Sequence, residues 1–172
     1  LEAHNLFGRN LMGYPVEQQK YQGLANLHLF FKGQDSVNNY TRWLNLENGV
    51  AGVAYQSNGI NFRREVFASA PDQVIVIRIT ADNPGSISFT ANLRGLRNQT
   101  HSNYATDYIR MDPFGHDGLV LTGKSADYMG VAGKVQYEAR LKAIPEGGTM
   151  RTDGVELVLE NANAGTLDFA AA

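Results

Sequence analysis

The sequence contains no cysteine among its 172 residues. This absence excludes disulfide bonds, thiolate metal sites and a cysteine nucleophile. No apolar run reaches the length of about 20 residues that a membrane-spanning helix needs. An excess of positive charge is also missing, since 15 Lys and Arg stand against 17 Asp and Glu for a net charge of −2. Without a basic stripe, the chain does not fit the class of proteins that track nucleic-acid phosphates.

The composition is that of a globular protein. Hydrophobic residues make up 43% of the chain and charged residues 19%, and this length is enough to build a core. No repeat, low-complexity tract or linker divides the chain, so we expect one domain over residues 1–172. The sequence starts without Met and stops at "LDFAAA", and we therefore expect a fragment of a longer protein.

Hydrophobic periodicity predicts one short helix followed by strands. In residues 2–12 the apolar side chains fall near one helical face, and a Gly and a Pro follow. Thereafter apolar and polar residues alternate with a period of two. Asn58-Gly59 is typical of a type I′ hairpin turn, which would place Tyr55 opposite Phe62 and Ala51 opposite Val66. Arg64 interrupts the apolar face of this hairpin.

The stretch 67–95 gives the clearest strand pattern. Ile75, Ile77 and Ile79 alternate with further apolar residues, which predicts a central strand covered on both faces. A turn at 82–85 leads into a second strand, in which the apolar residues alternate strictly with Ser, Thr and Asn. Residues 96–116 are polar and aperiodic, and we expect a long surface loop there.

Closely spaced strands with turn residues between them favour an all-β fold. The pattern gives about ten strands and no helices between them, which favours a large antiparallel β-sandwich or a barrel with a short N-terminal helix.

The residues offer no catalytic constellation. The Asp residues lie in predicted turns, where Asp commonly caps backbone N–H groups. Glu65, Glu138 and Glu156 occupy solvent-facing strand positions, and no pair of carboxyl groups stands out as the acid and base of a glycosidase. His116-Asp117 fits a solvated turn better than a metal site. We therefore expect no catalytic residue, no metal and no cofactor in this chain.

Three aromatic residues are candidates for contact with a sugar. Trp43, Tyr104 and Tyr108 lie in irregular stretches or on the less apolar strand face, and aromatic rings can stack on the apolar faces of pyranoses. Aromatic rings more often cover sheet edges and the core, and both interpretations remain open.

Three stretches carry a resemblance to a known family. They are "YQGLANLHLFF" (21–31), residues 40–93, which include "REVFASAPDQVIVIRI", and residues 122–172. In this order they resemble the amino-terminal β-domain of the α-L-fucosidase-type glycoside hydrolases of family 95. The resemblance runs over nearly the whole chain.

The resemblance implies a large sandwich that packs against a catalytic α/α barrel of the same polypeptide, with a carbohydrate substrate bound in the barrel. It implies a domain interface near Tyr21 and Gln22, where the family's usual "YQPLGDL" is altered here to "YQGLANL". It also favours a secreted or periplasmic location. A stand-alone carbohydrate-binding module and a structural or adhesion domain remain as alternatives, because a sandwich does not decide function.

Overall fold

The computed structural model describes residues 1–12, 23–95, 109–125, 127 and 130–172. Within these ranges one helix, α1 (Glu2–Asn10), precedes the strands. The strands are β1 (Asn26–Phe30), β2 (Asn38–Asn45), β3 (Val50–Ser57), β4 (Ile60–Ser69), β5 (Val74–Ala81), β6 (Ile87–Arg94), β7 (Ile109–Pro113), β8 (Gly118–Lys124), β9 (Gln136–Glu146), β10 (Thr149–Asp153), β11 (Glu156–Ala162) and β12 (Ala164–Ala171). In the described part of the chain, no helix is long and apolar enough to cross a membrane.

Two antiparallel sheets form a sandwich, which confirms the predicted fold class. The large sheet has eight strands in the order β2-β3-β4-β5-β12-β9-β8-β7, and the small sheet has four in the order β1-β6-β11-β10. The strands of each sheet pair antiparallel. The core lies between the sheets, where alternate side chains of both meet.

The β3–β4 hairpin has the predicted register. Tyr55 pairs with Phe62 and Ala51 with Val66. Asn58 and Gly59 have φ angles of 51° and 79°, which are the two left-handed positions that a type I′ turn requires. The turn chemistry of two residues therefore fixes which side chains of both strands face the core.

Strand β6 also follows the predicted alternation. Its residues Ile87, Phe89, Ala91 and Leu93 are buried in the core. The same core includes Leu121, Leu141, Leu157, Leu159 and Leu167 from four other strands. The small sheet thus places its apolar face on the β5, β12, β9 and β8 side of the large sheet.

The sequence pattern did not predict two of the observed strands. Strand β7 lies inside the range 96–116 that we expected to be a loop, and β10 lies in the stretch before Gly154. Both have five residues and stand at the edge of a sheet. Neither carries more than two core-facing apolar residues, so period-two alternation is too short to detect in them.

The burial of β5 differs from the prediction. The strand is central, between β4 and β12, but only Ile79 is fully buried, whereas Ile75 remains 40% exposed. Among the described residues, the core includes Tyr55 and Phe62 at one end of β3 and β4 but not Ala51 and Val66 towards the other end. An apolar stretch on that side of β5 is therefore open.

Candidate functional site

Trp43 lies on the outer face of the large sheet. Its cross-strand partner is Gly52, and a Cβ atom at that glycine would come within 2.3 Å of the indole ring. The ring therefore lies flat on the backbone of β3. The guanidinium of Arg63 lies 4.7 Å from the ring centroid, a cation–π distance. A sugar that stacked on this ring would compete with Arg63 for it.

Charged residues continue from Trp43 across the outer face. Arg63 Nη2 donates to Glu65 Oε1 at 2.6 Å. Further along, Arg78 forms an ion pair with Glu146 at 2.5 Å and donates to Thr166 Oγ1 at 2.8 Å. Arg63 and Glu65 thus pair within β4, whereas Arg78 pairs across the strands, as is usual on a solvated face.

The carboxyl groups whose pKa is displaced are poor general acids. The hydrogen bond from Arg63 lowers the pKa of Glu65, and the hydrogen bond from Arg78 lowers the pKa of Glu146. The side chain and then the backbone of Asn61 lower the pKa of Asp82. A glycosidase acid needs a raised pKa in order to hold its proton. The pKa values of these three groups are shifted in the opposite direction.

Metal-ligand clusters do not occur in the described ranges: no group of three or more His, Asp or Glu side chains is close enough to hold an ion. Tyr104 and Tyr108, our other two candidates for sugar contact, lie outside the described residues, as do Tyr21 and Gln22. Of these sequence-predicted residues, Trp43 is therefore the one whose surroundings the structure describes.

A cluster around Arg64 joins the two sheets on their inner side. Arg64 lies in β4, and its guanidinium is 3.6 Å from the ring centroid of Phe31, which follows β1. Arg64 Nη2 donates to Gln34 Oε1 at 3.1 Å and to the Tyr55 hydroxyl. Tyr55 in turn donates to Gln34 Oε1 at 2.5 Å. Burial raises the pKa of Tyr55, with Arg64 opposing the shift. Sequence analysis identified Arg64 only as an interruption, because its partners lie far away in the chain.

Beside this cluster the large sheet exposes core-type side chains. We call Leu44, Ala51, Val66, Ile75 and Ile77 the uncovered face. Leu44 pairs with Ala51, Ala51 with Val66, and Val66 with Ile77, so four of these side chains form one row on the inner side of the sheet. An open depression of about 570 Å³ lies over this row, and Arg42 and Arg64 also line it.

A second, more polar pocket lies at the end of the small sheet. It has a volume of about 540 Å³ and is lined by His28, Asn92, Glu156 and several apolar residues. Asn92 is only 3% exposed. Its Nδ2 donates to Glu156 Oε1 at 3.2 Å, whereas its Oδ1 is buried without a hydrogen-bond partner. The polar lining of this pocket thus includes the joined pair of Asn92 and Glu156, with His28 beside them.

Comparison with known proteins gives a family match over the whole chain. Residues 1–172 match the family model described as "Glycosyl hydrolase family 65, N-terminal domain". Over 105 residues the chain is 38% identical to alpha-L-fucosidase 2 of Arabidopsis thaliana, which covers 59% of this chain and 12% of that protein. The chain thus spans about an eighth of that relative's length.

A solved structure also matches. It is provisionally named a kojibiose phosphorylase, from the human microbiome, and aligns with a TM-score of 0.48 at 12% identity over 85% of this chain and 21% of its own. The resemblance to an amino-terminal domain of a glycoside hydrolase, with a fucosidase among its relatives, is confirmed by the family match and by the plant protein.

Proposed function

The chain belongs to the glycosyl hydrolase family 65 N-terminal domain family, and from this membership we propose that it supports a catalytic α/α barrel of the same polypeptide without taking part in the chemistry. Residues 1–172 form one β-sandwich domain of a longer glycoside hydrolase. The substrate is a carbohydrate, an α-L-fucoside in the first instance, because the plant relative carries that name. Carbohydrate metabolism, at a secreted or periplasmic location, is the setting that the resemblance favours.

The state of the carboxyl groups is the observation that supports a non-catalytic role. Hydrolysis of a glycoside requires a carboxylic acid that holds its proton and a second carboxylate. In the described part of the chain, the carboxyl groups with a displaced pKa are Glu65, Asp82 and Glu146, and hydrogen-bond donors lower the pKa of all three. The chemistry is accordingly assigned to a domain beyond these residues. Tyr21 and Gln22 are proposed to contact that domain.

An activity comparison tests this proposal. The 172-residue chain and the full-length polypeptide encoded with it are assayed on an aryl α-L-fucoside and on a panel of other aryl glycosides. We expect hydrolysis by the full-length polypeptide alone. Turnover by the 172-residue chain would refute the non-catalytic role, and absence of turnover by both on every glycoside would remove the hydrolase assignment.

A stand-alone carbohydrate-binding module is the second candidate function. The pocket of about 540 Å³ lined by His28, Asn92 and Glu156 favours it, because sugar hydroxyls form hydrogen bonds with polar side chains of this kind. Trp43, Tyr104 and Tyr108 remain its aromatic candidates. Isothermal titration of the 172-residue chain with a glycan panel tests it. Binding that is lost in Asn92→Leu or Trp43→Ala would favour the module, and a flat titration across the panel would reject it.

A further inference from the structure

We propose that the uncovered face is the docking site of an extended segment of the same polypeptide, which lies outside residues 1–172 and adds a strand to the free edge of β1. This inference rests on the proposed function, since it requires a longer polypeptide. The relative from Arabidopsis thaliana supplies the scale, because the chain covers only 12% of it. The segment would present apolar side chains to Leu44, Val66 and Ile77.

Burial decreases steadily along the large sheet towards this face. One row of paired residues across the strands consists of Leu141, Phe169 and Ile75. Leu141 is completely buried, whereas Ile75, at the other end, is 40% exposed. In the neighbouring row Leu167 is completely buried, and Leu44, at the far end, is 63% exposed. One continuous apolar surface is thus covered at one end only.

The position of the small sheet identifies which edge adjoins the uncovered face. Strand β1 is an edge strand, and Phe31, directly after it, lies against Arg64 of β4. Met150 of β10, the opposite edge strand, lines a cavity with Ala143 and Pro145 of β9. A strand added beyond β1 would therefore lie over β4 and its neighbours. It would cover the part of β4 that carries Val66.

The two sheet edges beside the uncovered face differ in their protection. Strand β2 carries a charged residue, Arg42, on its inner side and a register irregularity between Asn38 and Thr41, with a φ of 53° at Asn39. Inward charges and bulges are devices that prevent further pairing at an edge. Strand β1 has a regular register over its five residues and places Leu27 and Leu29 in the core. An incoming strand therefore pairs with β1 and not with β2.

Two arginines at the uncovered face indicate the charge of the segment. Arg42 has no ion pair among the residues that the structure describes, and the Nε atom of Arg64 is buried without a partner. A carboxylate on the incoming strand would pair with the Arg42 guanidinium and would lie in the positive field of Arg64, whose own guanidinium already contacts Phe31, Gln34 and Tyr55. We therefore infer a strand that alternates apolar residues with one Asp or Glu near Arg64.

A second copy of the chain fits this surface less well. In a two-fold dimer the same patch meets itself, so Arg42 and Arg64 of one copy would approach those of the other. Four guanidinium groups at an apolar interface repel one another. The acidic segment of the same polypeptide avoids that repulsion.

The test uses the full-length polypeptide and two adjacent substitutions. Val66→Asp places a charge on the uncovered face, whereas Phe67→Asp places the same charge on the outer face of the same strand, where Phe67 is 41% exposed. Because β1 already pairs with β6 on one side, the informative amides are those of residues 26–30 that point away from β6, and we expect these to be protected from hydrogen exchange in the parent. We expect Val66→Asp to lower that protection by about tenfold or more and Phe67→Asp to leave it unchanged. Val66→Thr, a milder change, should lower it less.

Each other outcome has a defined meaning. Equal effects of Val66→Asp and Phe67→Asp, or no effect of Val66→Asp and Val66→Thr, would overturn the docking of a strand here. A parent that dimerises reversibly in light scattering, and becomes monomeric with Val66→Asp, would overturn the proposal in favour of a second copy. Protection of the β1 amides that point away from β6, in a polypeptide without glycosidase activity, would support the docking and reject the proposed function. Failure of the docking and failure of the proposed function are therefore distinguishable.

Discussion

The guanidinium carbon of Arg64 lies 3.6 Å from the centroid of the Phe31 ring. Arg64 belongs to β4 of the large sheet, and Phe31 follows β1 of the small sheet, so this contact ties the two sheets together at the boundary of the uncovered face. The same guanidinium donates to Gln34 and Tyr55, and its charge is thereby held by an aromatic ring and two oxygen atoms. Arg64 is charged although its position faces the core. Its contacts with Phe31 and Gln34 hold the segment that connects β1 to β2.

Replacing Arg64 by Met tests this role. The change removes the cation–π contact and the hydrogen bonds from Arg64, and it leaves the Tyr55 oxygen without its donor, so we expect the free energy of unfolding to fall by about 2 kcal/mol. Arg63→Met is the matched control, because Arg63 is the preceding residue and its contacts with Trp43 and Glu65 lie on the solvated face, so it should cost about 1 kcal/mol or less. Urea unfolding followed by circular dichroism measures both. Equal losses would contradict the account.

Replacing Gly52 by Ala tests the packing of the single tryptophan. The added methyl group would overlap the Trp43 ring, which lies 2.3 Å from the ideal Cβ position, so the ring must move towards solvent. We expect red-shifted tryptophan emission and a loss of about 1–3 kcal/mol, as in other overpacked sites. The chain contains one Trp, so the fluorescence of the 172-residue chain reports this ring alone. Unchanged emission would show that the ring does not lie on β3.

Replacing Gly59 by Ala tests the hairpin turn. The φ angle of 79° is costly for a residue with a Cβ atom, so we expect a loss of about 1 kcal/mol or more in unfolding free energy. Gly8→Ala is the control, because Gly8 lies in α1 with no atom within 4 Å of its added Cβ, and Ala favours a helix. Thermal melting compares the two. A Gly59→Ala melting temperature at or above that of the parent would exclude the type I′ turn.

The hydrogen bonds to Asp82 predict a dependence of stability on pH. Asn61 donates to this carboxylate from Nδ2 at 2.6 Å and from its backbone N–H at 3.0 Å, and both bonds favour the charged form. The pKa in the folded state is lowered from 3.8, so the carboxylate stabilises the fold above that value and the contribution is lost as the pH falls through the folded pKa. Urea unfolding from about pH 6 to about pH 3 measures this loss. We expect Asp82→Asn to be less stable at the upper end and to lose less on acidification. Parallel curves for the two proteins would contradict this.

Local patterns predicted the fold well where the determinants are near in sequence. The Asn58-Gly59 turn sets the register of β3 and β4, and strict alternation sets the inward face of β6. Strands β7 and β10 were not predicted, because a five-residue edge strand needs few apolar side chains and so shows no clear alternation. The exposure of Ile75 could not be predicted, since it depends on how far the other sheet extends.

The candidate site was harder to predict from sequence, because its contacts also depend on how distant parts of the chain come together. Trp43 was identified by residue type, but its contact with Arg63 arises from pairing across β2, β3 and β4. Arg64 meets Gln34 and Phe31 only after the chain crosses between sheets. Asn92 gave no signal, because an Asn at an outward strand position is ordinary until its burial is known.

The absence of chemistry in this domain is the central claim, and the turnover number of the full-length polypeptide tests it most directly. Glu65, Glu146 and Glu156 are each changed to Gln in that polypeptide, and kcat is measured on the aryl glycoside that the parent hydrolyses. The account predicts kcat values within about twofold of the parent, because a lost general acid or base would cost about 10²–10⁴-fold. A fall of that size in any of the three variants, with the fold intact by circular dichroism, would contradict it.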